Sequence, residues 1–276
     1  MQDFRPRSFN VLPDVIKNLL IINGLLFLAT LTAESFGVQL SRILGLHYVN
    51  SQYFHPYQFV SHLFMHGNFM HLFSNMFALW MFGSTLENVW GPKKFLFFYL
   101  FTGLGAAFIH SGVLYYENTS LEAALNVFLS APTPDAFKFF IEEKAAGFFN
   151  NNIYDFINEW SKLPDNDMFI SQAKVYANSV AQAGIDVPTV GASGAVFGVL
   201  LAFGMLFPNT LLYIYFLFPI KAKYFVALYA MFEFYTGYQN LTGNGSSNIA
   251  HFAHLGGMLF AFILIKYWQK DKRNFY

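Results

Sequence analysis

Cysteine is absent from all 276 residues. That excludes a disulfide framework, a thiolate nucleophile and any Cys-ligated metal, and it leaves the redox compartment open. Charge is scarce as well. Only 12% of the residues are charged, where soluble domains carry about 25%. The formal net charge is zero, so neither nucleic acid nor a polybasic lipid anchor is expected as a partner. A cleaved signal is also missing from the expectation: the first apolar run begins near Val15, is long enough to span, and has no small-residue cleavage site after it. What the chain has in excess is apolar bulk. It is 55% hydrophobic and 20% aromatic, with 36 phenylalanines. This is the composition of an all-α integral membrane protein, with the lipid bilayer as its solvent.

A spanning helix needs roughly 20 mainly apolar residues. Five stretches approach that length: Val15–Ala33, Phe69–Gly83 with an upstream extension from His62, Phe95–Gly112, Val190–Phe207 and Ile249–Trp268. A sixth, Tyr224–Tyr238, is apolar except for Glu233, which is expected to face protein or water. Thr210–Ile220 is apolar but would reach only roughly 16 Å as a helix, so it reads as a connector at the interface. Six spans put both termini on one side. Arg5, Arg7, Lys17, Lys93, Lys94, Lys221, Lys223, Lys266, Lys270, Lys272 and Arg273 gather there, and only Arg42 stands in the short loops opposite. Both termini are therefore expected in the cytoplasm. On this reading residues 1–14 and 269–276 are tails, and 15–268 form the membrane domain. That domain is interrupted by a helical extracytoplasmic insertion over 113–188, between spans three and four. The insertion has ten acidic residues and four lysines. Its Phe137, Phe140, Ile141, Phe148, Phe149, Phe156, Ile157 and Trp160 fall near helical spacing over Asp135–Trp160, and Asp167–Ala183 is a second helical candidate. The aromatic stripe is expected to be packing surface.

Polar groups inside spans are expensive and tend to mark function. Span two carries His62, His66, His71 and Asn75; His71 and Asn75, four apart, share a helix face. Span four opens on Gly191-Ala192-Ser193-Gly194, and span six carries His251 and His254. All three spans run in the same direction, so His71, Ser193 and His254 come to similar depth below the outer surface. A serine hydroxyl needs a base, and His251 or His254 could supply it if spans four and six are neighbours. Their small residues favour that approach: Gly194-x3-Gly198 on one, Gly257-x3-Ala261 on the other. The amide of Ser193, with His71 and Asn75, could stabilise a developing oxyanion.

The motifs His66-x4-His71-x3-Asn75, Gly191-Ala192-Ser193-Gly194 and Ala253-His254-Leu255-Gly256-Gly257, in this order and on separate spans, resemble those of the rhomboid family of intramembrane serine proteases, bacterial type. The resemblance covers about Val15–Trp268 apart from the insertion. It implies a six-helix rhomboid bundle in the bacterial inner membrane that cuts transmembrane segments of other membrane proteins near their outer ends. It implies Ser193 as nucleophile, His254 as base in a dyad with no acid, and His71, Asn75 and the Ser193 amide as the oxyanion hole. Gly191, Gly194, Gly257, His66 and Glu87 are implied as structural support, and span five as a lateral gate. No cofactor or metal is implied. Tyr57-Gln58 stand where the family often has Trp-Arg, Phe197 where it often has a tyrosine stacked on the base, and Ala261 where it has a glycine.

Two other readings remain. One is a catalytically silent relative that binds membrane clients; the intact serine and histidine weigh against it. The other is a metal site or cation pathway built from His62, His66, His71, His251 and His254. Against it stand the lack of a His-Glu-x-x-His motif and of any carboxylate near the histidines in sequence.

Overall fold

The computed structural model describes residues 9–145, 148–214, 217–241 and 250–273. Arg5, Arg7 and Ile249 of the sequence expectations lie outside these residues, as do the side chains of Lys272 and Arg273. Among the described residues the chain is mostly helical. In order it forms α1 (Asp14–Ser35), α2 (Leu40–Leu44), α3 (Gln58–Ser61), a 3-10 turn (His62–Phe64), α4 (Phe69–Ala78), a π-helical stretch (Leu79–Gly83), α5 (Ser84–Trp90), α6 (Pro92–Ser130), α7 (Pro134–Lys144), α8 (Asn152–Lys162), α9 (Asp167–Ile185) and α10 (Ser193–Leu206). The antiparallel strands β1 (Leu211–Ile214) and β2 (Phe218–Lys221) follow, then α11 (Ala222–Leu241) and α12 (His251–Arg273).

Two helix expectations need correction. The helix of span two does not extend back to His62. Met65 is extended (ψ 144°), and Asn68 starts α4 as its N-cap, its side-chain oxygen accepting from the His71 amide at 2.8 Å. Span three does not stop at Gly112 either. Hydropathy falls there, but no proline interrupts the chain before Pro132, and α6 runs on to Ser130. The stretch Thr210–Ile220, expected as a connector, joins α10 to α11 through a two-stranded hairpin in which Leu211 pairs with Lys221 and Ile214 with Phe218. The two strands thereby pair backbone groups that a membrane interface would otherwise have to satisfy.

By length and composition two helices, α1 and α6, suffice to cross a membrane. Both leave apolar side chains bare: Leu25 and Leu28 on α1, Phe108 on α6. The interior holds the polar groups instead. Asn23, Thr102, Asn75, Glu233, His251 and His254 are all buried. Apolar outside and polar inside is the distribution a lipid solvent imposes.

The main core gathers around α10. Its Ala195, Val199 and Ala202 are fully covered, with Phe95, Phe98 and Tyr99 of α6 and Ala261 of α12 around them. Glycines set the spacing. A Cβ on Gly257 of α12 would run into the carbonyl oxygen of Gly194, one on Gly194 into Ala106 of α6, and one on Gly198 to within 2.8 Å of Thr102. Helices α6, α10 and α12 therefore meet backbone to backbone. A second, separate core joins the end of α6 to α7, α8 and α9: Phe128, Phe137, Phe140, Ile157 and Trp160 pack on Ala173 and Ala177. Most of the aromatic stripe is packing surface, as expected, but Phe148 is exposed, and the break after Lys144 divides the stripe between α7 and α8.

Candidate functional site

The segment before α10 is held before it delivers its serine. Thr189 pairs with Leu46 through both backbone bonds, and the Gly191 amide donates to the His62 carbonyl at 3.0 Å. Gly191 itself has φ +132°, a conformation open to glycine, and this turns the chain into the helix. Ser193 is the first residue of α10, so its hydroxyl sits at the helix mouth, where the first-turn amides have no intrahelical acceptor.

Helix α12 faces it. His254, in the first turn of α12, brings Nε2 to 2.9 Å from Ser193 Oγ. Phe197, one turn below the serine, stacks on the His254 ring with centroids 4.1 Å apart and planes 6° from parallel. The ring expected there keeps its place without a hydroxyl, and Tyr229 of α11 packs on its other side at 4.9 Å. His251 does not take the serine; its Nδ1 turns to Glu233 Oε2 at 2.7 Å.

Helix α4 closes the third side. A Cβ at Gly191 would lie 2.8 Å from both Cε1 and Nε2 of His71 and 3.6 Å from Ser193 Oγ, so His71 sits against the serine turn. Asn75 follows one turn later on the same face, buried, and its Nδ2 has no partner among the described residues. A buried amide donor without an acceptor is costly, and is the state expected of a donor reserved for a bound group. His66 is buried with its ring edge-on to His71 at 5.1 Å.

Other expected residues fall further away. Glu87 lies at the far end of the bundle, where its two carboxylate oxygens accept from the amides of Val15 (3.0 Å) and Ile16 (2.9 Å). It caps α1, whose own N-cap residue, Pro13, has no side-chain cap to give. His62 Nδ1 is bonded to the Gln58 carbonyl at 2.8 Å, and the extended Met65 removes the helical register with His66 that joint metal chelation needed.

Three residues carry more than the sequence suggested. Gln58 is fully buried and holds four backbone groups of its loop: its Nε2 donates to the Ile43 and Tyr53 carbonyls, and its Oε1 accepts from the His47 and His55 backbone amides. His110 of α6 reaches Thr189 at 2.7 Å and steadies the serine segment. Glu233 is the third. No carboxylate was expected near the histidines, and the dyad was expected to have no acid. In the fold the Glu233 carboxylate, on α11, lies 2.7 Å from His251 Nδ1 and 2.9 Å from His254 Nδ1. The contact joins residues 18 and 21 positions apart on different helices, which is why spacing along the chain missed it. Glu233, His251 and His254 also form the one group, among the described residues, whose ligand atoms lie close enough together (within 4.8 Å) to hold a metal ion.

The model of the rhomboid domain matches residues 53–124 and 168–270, passing over the stretch that carries α7 and α8. A 72-residue stretch is 42% identical to Rhomboid-like protein 11, chloroplastic, of Arabidopsis thaliana. That stretch covers 26% of this chain and 26% of the relative's length. With the family model matched over more than half of its residues, this chain belongs to the rhomboid family of integral membrane proteins, whose members are in general intramembrane serine proteases.

Proposed function

We propose that this protein is an endopeptidase that cleaves transmembrane segments of other membrane proteins near their outer ends, with Ser193 as nucleophile and His254 as its base. The observation that carries the reading is the 2.9 Å approach of His254 Nε2 to Ser193 Oγ across two helices. His254 takes the hydroxyl proton as Ser193 Oγ attacks the scissile carbonyl. The oxyanion forms among the Ser193 amide, His71 and Asn75, each donor contributing about 3–4 kcal/mol in comparable hydrolases. His254 then gives its proton to the leaving amine, and water repeats the sequence on the acyl-enzyme. Gly191, Gly194 and Gly257 let the two helices meet at this distance, His66 backs His71, and Glu87 anchors α1.

The layout proposed with this activity is six spans: α1, the run α4 to α5, α6, α10, α11 and α12. Both termini lie in the cytoplasm, the serine opens to the opposite side, and α7 to α9 stand outside as an insertion; the membrane is a bacterial inner membrane. The substrates are single-pass or other transmembrane proteins that unwind locally at the cut. A fluorophosphonate probe tests the core of this. Wild-type protein in detergent is expected to label, and Ser193→Ala to lose the label while unfolding at the same temperature. Labelling that survives Ser193→Ala refutes Ser193 as the nucleophile.

A further inference from the structure

Glu233 is an acid almost completely removed from solvent, 3% exposed, on a helix whose neighbouring side chains Met231, Phe232 and Phe234 are bare and apolar. A buried carboxylate is tolerated when donors satisfy it. Here both donors come from α12: His251 Nδ1 at 2.7 Å and His254 Nδ1 at 2.9 Å, converging on the same oxygen, Oε2. An ionised carboxylate only accepts, so the His254 proton is held on Nδ1. That leaves a lone pair on Nε2, 2.9 Å from Ser193 Oγ. The atoms run in one chain from carboxylate to imidazole to hydroxyl, the order in which a serine nucleophile is activated.

We propose that Glu233 is the third member of the catalytic constellation, a positioning residue that acts through His254. The inference rests on the protease reading of Ser193. Glu233 fixes the tautomer in which Nε2 can accept, and His251 holds the carboxylate in place with a second hydrogen bond. As Ser193 Oγ bonds to the substrate carbonyl carbon, the carbonyl π pair moves to oxygen and the hydroxyl proton moves to Nε2. The imidazolium then carries a proton on each nitrogen and faces the Glu233 charge. When the C–N bond breaks, the Nε2 proton leaves with the amine. Glu233 keeps its charge throughout and takes up no proton. Because Glu233 lies on α11 while Ser193 and His254 lie on α10 and α12, the base is correctly set only while α11 stays against α12.

Steady-state cleavage of a fluorogenic transmembrane peptide in proteoliposomes tests this, using wild type, Glu233→Gln, Glu233→Asp, His254→Ala, Ser193→Ala and the double variant His254→Ala/Glu233→Gln. Glu233→Gln is expected to lower kcat on the order of 10³- to 10⁴-fold with KM within about twofold. Glu233→Asp, which keeps the charge, is expected to recover part of the loss. In the His254→Ala background Glu233→Gln is expected to cost nothing more, since a residue acting through the imidazole has nothing left to act on. A kcat for Glu233→Gln within about threefold of wild type overturns the proposal, and so does a further loss of the same size in the His254→Ala background. Cleavage abolished by EDTA and restored by Zn²⁺ also overturns it, making the three side chains metal ligands. Cleavage that survives in Ser193→Ala instead refutes the protease reading itself.

Discussion

At the scale of single residues, the candidate site gathers polar side chains of α4, α10 and α12, with Ser193 bonded to His254 and His71 against the Gly191 turn. Asn75 is the clearest case, since its Nδ2 is buried and without a partner among the described residues. If Asn75 serves the proposed oxyanion hole, Asn75→Ala is expected to lower kcat about 10²- to 10³-fold and to leave KM nearly unchanged, because the bond would form only with the oxyanion. Cleavage kinetics check this, and a rise in KM alone would instead mark Asn75 as a substrate-binding group. His71 and Asn75 were readable as a pair from their spacing of four, which one helix face preserves. Glu233 was readable only as an anomaly, an acid in an apolar run. Its partners could not be read, because α11 and α12 bring them together across a gap of 18 and 21 positions.

At the scale of elements, one helix contact sets the site's spacing and another anchors the bundle away from it. The first is α10 against α12, where Gly257 leaves no room for a side chain beside the Gly194 carbonyl. Gly257→Val is expected to separate the helices and break the contact between Ser193 and His254. Fluorophosphonate labelling should fall at least tenfold, with stability lowered by about 1–3 kcal/mol. Unchanged labelling would mean that the helices tolerate the wider spacing. The second contact is Glu87 on the start of α1. Glu87→Ala leaves two amides without their acceptor and is expected to cost about 1–2 kcal/mol. Thermal unfolding in detergent should register that loss, while labelling of the folded fraction at low temperature stays near wild type. The glycine spacings were legible in sequence and so was the acid at 87. The helix ends were less so: α6 outruns its apolar stretch because its later residues lose hydropathy without losing helical character.

At the scale of the molecule, the described residues form two cores. One surrounds α10 within the bundle, and the other is built by α7, α8, α9 and the last turns of α6. The second core centres on Trp160, which is fully buried and donates from Nε1 to the Pro164 carbonyl at 3.1 Å. Trp160→Ala is expected to destabilise this unit by about 3–5 kcal/mol. Calorimetry should then resolve a lower-temperature transition, with Ser193 labelling retained after it. Loss of labelling in that first transition would mean that the site depends on the insertion. The family match passes over α7 and α8 but takes in α9, whose Ala173 and Ala177 belong to the second core.

The sequence alone determined the solvent, the helical class and the three motif-bearing segments. Those properties are written in hydropathy and in short spacings, and both survive any rearrangement of the chain in space. It also set Ser193 and His254 near the starts of their apolar segments, and both lie in the first turn of their helices. Spacing alone left both histidines open and the resemblance pointed to His254; the tertiary structure supplies the contact itself. His251 and His254 are three apart on one helix. Close packing of α10 on α12 turns one toward Ser193, and Glu233 draws the Nδ1 atoms of both to its carboxylate. An acid whose role depends on a neighbouring helix leaves no local pattern, and so the third group behind the base became visible only in the fold.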